Sequence, residues 1–148
     1  MFEFNRTTTE QQLFDYITTF LYKQGVPSMR DDDNVCLYPG PQGIMCAVGC
    51  IMPDAAYNIQ MEGDGVYAML QAGLARHYGN DSTEFFELMN KHRVVLGALQ
   101  GAHDDASELS LRNELEVKKA EVRALWLVRF DEIASDFNLK FNAKELPQ

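Results

Sequence analysis

The sequence predicts a mainly α (α+β) fold, a single-domain bundle of about four to five helices with one short inserted β-hairpin. Three observations predict it. Apolar residues recur at three- and four-residue spacing over most of the chain, the pattern of helices that each bury one face. Residues 35 to 48 are instead rich in strand formers around a turn-dense centre. The 148 residues, 46% of them hydrophobic, suit one domain over 1–148 that can bury a core without staples.

The first helix is expected over about 9–24. Thr9 with Gln12, or Thr7 with Glu10, has capping-box spacing; Leu13, Phe14, Ile17, Phe20 and Leu21 form the stripe; Gly25 and Pro27 supply the stop. An acidic loop, SMRDDDN, follows. Its Asp31, Asp32 and Asp33 do not make a calcium loop, because the fifth position falls on Val35 and the required glycine and distal glutamate are misplaced.

The hairpin is expected over about 35–48, with Val35–Tyr38 and Ile44–Val48 as strands and Pro39–Gly43 as the turn. Asp54 then caps a short helix over about 54–59. Val66, Met69, Leu70 and Leu74 mark a helix over about 65–78, ending at Gly79. Asp81 or Ser82 caps another over about 82–103, with Phe85, Leu88, Met89, Val95, Leu96 and Leu99 on one face. The longest, about 108–137, carries Leu111, Leu115, Val122, Leu125, Trp126, Phe130, Ile133 and Phe137, and residues 142–148 read as a frayed tail.

Thirteen basic against 22 acidic residues leave a net charge of −9. A general grip on phosphates needs clustered cations, so nucleic acid is a poor candidate ligand. The same acidity suits a protein that imitates nucleic acid in a basic groove, or simply a soluble one. No apolar run reaches membrane-spanning length and MFEFNRTTTE lacks a secretory signal, so a cytoplasmic protein that meets no membrane is expected.

Cys36, Cys46 and Cys50 are the only cysteines. With a histidine they would complete a zinc tetrahedron, but only Cys46 and Cys50 have close-pair spacing, and free cysteines are commonly buried as small apolar groups. A nucleophilic cysteine such as Cys46 could pair with His77, His92 or His103. His77, His103-Asp104 and Asp131 or Asp136 also resemble the H…HD…D constellation of all-helical metal-dependent phosphohydrolases. Against this, Asp104, Asp105 and Ser107 suit the end of one helix and the cap of the next. Gly63-x-Gly65 and Gly40-x-x-Gly43 lack the partners of a phosphate loop, and no cofactor is expected.

The run from Cys36 through CLYPGPQGIMCAVGCIMPD, with Tyr57 and Met61-Glu62-Gly63, resembles the central motif of a family of small, uncharacterised bacteriophage and bacterial proteins. LQGAHD from Leu99 and IASDFNL from Ile133 extend the likeness. Relatives often carry a basic residue before Gly40, where this chain has Pro39. The resemblance implies a phage-type accessory protein and no mechanism. The expected function is binding a host protein, inhibiting a defence or transcription component, through the hairpin surface Tyr38, Pro39, Gly40 and Gln42 and the acidic loop. A homodimer is compatible with this. The alternative is a small metal- or cysteine-dependent enzyme using Cys36, Cys46 and Cys50, or His103-Asp104.

Overall fold

The computed structural model describes residues 4–30, 35–76, 82–107, 109 and 115–147, with backbone alone for 115–117. Five α-helices occur among the described residues: α1 Glu10–Gln24, α2 Val66–Leu74, α3 Thr83–Lys91, α4 Arg93–Asp105 and α5 Leu115–Asp136. The mainly helical bundle therefore stands. Among the described residues, no helix is long and apolar enough to cross a membrane.

Helix α1 forms as its local chemistry dictates. Thr9 accepts the Gln12 backbone N–H and Gln12 reaches back to the Thr9 N–H, while Gly25 closes the helix in the left-handed region at φ 73°. Leu13, Phe14, Ile17 and Leu21 are fully buried. Arg123 of α5 donates from Nε to the Tyr22 carbonyl at 2.9 Å and from Nη2 to the Lys23 carbonyl at 3.3 Å, supplying partners and positive charge to the helix end.

Helix α4 is the hub, packing on each of the other four helices. Its Val95, Leu96, Leu99 and Ala102 meet the α5 residues Val122, Trp126 and Phe130 in one core. The Trp126 indole donates to the Ala102 carbonyl at 3.0 Å and stacks between His103 and Phe130.

Four segments differ from the sequence-based expectation. The helix expected over 82–103 breaks at His92, whose backbone leaves helical geometry at φ −112°, ψ 21° as its ring bonds the Thr8 carbonyl at 3.0 Å. The helix expected over 65–78 stops at Leu74, with Arg76 at φ 59°. The one expected over 54–59 is two 3-10 turns, Asp54–Ala56 and Ile59–Met61. The tail is docked: Ala143–Glu145 turns, Leu146 is buried, and Phe141 packs edge-on against Phe14 and Phe130. Gly79, Asp81 and Leu111 lie outside the described residues.

The hairpin over 35–48 does not form as a ladder. Only isolated antiparallel bridges occur among the described residues, Met29 with Cys36 and Pro39 with Met45. The backbone groups that would pair are taken elsewhere. Leu37 donates to the Ser28 carbonyl at 3.0 Å, Tyr38 N–H goes to Glu62 at 3.1 Å, and the Gln24 amide bonds both the N–H and the carbonyl of Met45 at 2.9 Å. Pro39 and Pro41 have no N–H to offer. Of the expected returning strand Ile44–Val48, Met45 alone makes a bridge, and Ala47 and Val48 already turn toward the 3-10 helix Gly49–Ile51.

Candidate functional site

Two regions hold the residues singled out from the sequence. The first is a polar knot where residues 28–30 and 35–48 meet the last turns of α4. His103 is fully buried there and accepts the Ser28 backbone N–H through Nε2 at 2.8 Å. An N–H can only be received by an unprotonated nitrogen, so the ring proton sits on Nδ1, 2.8 Å from Asp104 Oδ1, to which it donates.

Gln100, one turn earlier on the same face, ties the knot. Its Nε2 donates to Cys36 Sγ at 3.0 Å and to Asp104 Oδ1 at 2.8 Å, and its Oε1 receives the Val48 N–H at 3.3 Å. Cys46 is buried with its sulfur accepting the Gly49 N–H at 3.3 Å; the half-buried Cys50 donates to the Ala47 carbonyl at 3.2 Å. A hydrogen bond with the Cys46 thiol, followed by burial and the charges of Cys46 and Asp104, pushes the free Cys36 thiol well above its ordinary range. Burial, then Cys46, pushes Cys50 the same way.

The donor atoms of Cys36, His103 and Asp104 lie within 4.8 Å of one another, so the structure merges two candidates that the sequence kept apart. Their proton arrangement does not suit a metal centre. A metal-bound histidine donates from its other nitrogen to a carboxylate, carbonyl or water, whereas here the other nitrogen faces the Ser28 N–H. The Gln100 amide also stands among the three donors. Nor does the geometry suit a Cys-His-Asp relay, which needs one ring nitrogen free for the thiol: Nε2 is held by Ser28 and Nδ1 by Asp104. What the knot does is clamp an irregular segment onto α4.

The second region is the outer side of that clamped segment. Tyr38, Pro39, Met45, Met52, Asp54 and Tyr57 line an open cleft of about 240 Å³. Its floor includes Gly49, where any Cβ would run into the Tyr38 carbonyl. Tyr38, expected on the surface, is only 2% exposed, and its hydroxyl donates to the Asp64 carbonyl at 2.8 Å. Burial, then the neighbouring thiols and carboxyls, raises its pKa. The Tyr57 hydroxyl donates to Glu62 at 2.9 Å, and burial together with that carboxylate pushes it up to about 12.

Pro39 and Gln42 are exposed, Gly40 is half-buried, and Gln42 takes φ 60° at the loop tip. Asp31, Asp32, Asp33 and His77 lie outside the described residues. Met52, Asp54 and Tyr57 were not singled out from the sequence as binding residues; the signal available was Tyr57 close behind the Met52-Pro53-Asp54 turn. The organising Gln100 was also legible, a lone amide on the apolar face between Leu96 and His103. His92, read as structural, is buried against Thr8. No family model matches the chain, and no curated protein or solved structure matches it at a significant level.

Proposed function

We propose that the chain is a phage-type accessory protein that acts in the host cytoplasm by binding a host protein through the face built by residues 35–64. One observation carries this reading. The thiol, imidazole and carboxylate of the polar knot are matched to one another, while the same segment presents an open cleft lined by two methionines and two tyrosines. Methionine and tyrosine are the adaptable and anchoring side chains of protein interfaces. Ile59, two residues beyond Tyr57, is 72% exposed and adds apolar surface to the segment.

The test is affinity capture from bacterial lysate with the wild-type chain, Met52→Ala, Tyr57→Ala and, as a control on exposed α5 surface, Val128→Ala. The reading expects a partner retained by wild type and Val128→Ala and lost from both cleft variants. Capture unaffected by the cleft variants overturns it, as does a stable wild-type homodimer in sedimentation that buries the cleft. Inhibition of a defence or transcription component is then read from the captured partner's activity.

A second reading, a small metal- or cysteine-dependent enzyme, draws on the convergence of Cys36, His103 and Asp104. The Ser28 and Gln100 contacts weigh against it.

A further inference from the structure

The charges of the chain are segregated along its length. All 13 lysines and arginines and all 3 histidines lie outside residues 31–75, while that segment holds Asp31, Asp32, Asp33, Asp54, Glu62 and Asp64. The segment supplies every wall of the cleft. An exposed carboxylate, Asp54, is part of its lining, and a second, Glu62, accepts the Tyr57 hydroxyl.

An apolar trough with a carboxylate in its lining fits a side chain with an apolar stem and a cationic head. Methionine thioethers adapt to a stem, and a tyrosine face attracts a cation. Arginine suits this better than lysine, because its flat guanidinium can lie on Tyr57 and still meet a carboxylate, and it gives up hydration more readily. The net charge of −9 draws a basic partner from a distance.

We propose that the cleft receives an arginine from a basic segment of the partner protein, its stem against Met45 and Met52, its guanidinium on Tyr57 and Asp54. This rests on the cleft being the binding face. Unlike that reading, it specifies the chemistry of what enters.

Fluorescence anisotropy with the full chain tests it, using a fluorescein-labelled Gly-Arg-Leu-Arg-Leu-Gly peptide and its citrulline counterpart, which keeps the shape and removes the charge. The arginine peptide should bind roughly tenfold more tightly than the citrulline peptide, in line with a well-placed interfacial charge pair. Asp54→Asn should weaken it about fivefold or more, and Asp136→Asn, which removes the same charge from exposed α5 surface, less than about twofold. Met52→Ala should weaken both peptides, since it shortens the wall that holds the stem.

Equal losses from Asp54→Asn and Asp136→Asn would mean diffuse attraction to an acidic protein and overturn the proposal. Equal affinity for the two peptides overturns it, as does no detectable binding at millimolar peptide. If the cleft variants lose the captured partner but the peptides are not discriminated, the binding face stands and only the arginine inference falls. Capture that ignores the cleft variants, with the peptides still discriminated through Asp54, leaves the arginine site standing without the host partner.

Discussion

Ser28 and His103 lie 75 residues apart in the chain and are joined by a 2.8 Å hydrogen bond in which a backbone N–H meets an imidazole Nε2 inside the core. The bond fixes the ring's tautomer and anchors the segment before the cleft to α4. His103→Leu keeps apolar volume but removes the acceptor, stranding a buried N–H. We expect a loss of about 1–3 kcal/mol in denaturant unfolding. Asp104→Asn retains an oxygen for the Nδ1 proton and should cost less than about 1 kcal/mol. Equal costs for the two would show that the Ser28 bond contributes little.

The same bond predicts the response to metal. For Nδ1 to bind a cation, Nε2 would have to carry a proton and face another donor. Protein purified without chelator should therefore hold no stoichiometric zinc, and titration of the reduced chain with cobalt should give no thiolate charge-transfer absorption. One zinc per chain by elemental analysis would reverse the order of the two functional readings and point to Cys36, His103 and Asp104 as its candidate ligands.

How much of this was legible in sequence depended on how far each element's partners lie along the chain. Helix α1 was readable because cap, stripe and stop all fall within Thr9 to Gly25. The hairpin misled because strand formers and turn residues are local signals, whereas the groups that claim its backbone are Gln24, Ser28 and Glu62. The break at His92 depends on a carbonyl 84 positions earlier, so helical spacing ran straight through it. That Cys46 and Cys50 lie near each other was foreseeable from their four-residue spacing. That Cys36 would meet Gln100 and Asp104 was not, because nothing in Cys36-Leu37-Tyr38 names a partner on α4.

Cys36 and Cys50 also set a pH dependence. Both thiols are raised in the folded chain, so above the ordinary thiol value near 9 the unfolded chain releases protons that the folded chain keeps. The unfolded state then binds fewer protons, and stability falls as pH rises. Stability should be level through neutrality and decline from pH 9 upward by at most about 1.4 kcal/mol per pH unit for each thiol. Thermal unfolding between pH 7 and 10.5 checks this, with Cys36→Ala and Cys50→Ala each making the decline shallower. A wild-type profile that stays level to pH 10.5 would mean that these thiols ionise freely in the folded chain.

Two glycines should respond in opposite directions to the same substitution. At Gly49 a Cβ collides with the Tyr38 carbonyl, which is backbone and cannot swing aside. Gly49→Ala must therefore push the 49–51 turn away from Tyr38, opening the cleft floor and straining the bond from the Gly49 N–H to Cys46. A cost of about 1–3 kcal/mol is expected, the range for overpacking a tight interior. At Gly101, within α4, a Cβ meets nothing within 4 Å. Gly101→Ala removes backbone freedom from the unfolded chain without a clash and should stabilise by about 0.5–1 kcal/mol. Urea midpoints measured side by side decide it. A neutral Gly49→Ala would show that the 49–51 turn yields freely, and the cleft would then lack the fixed floor on which its shape depends.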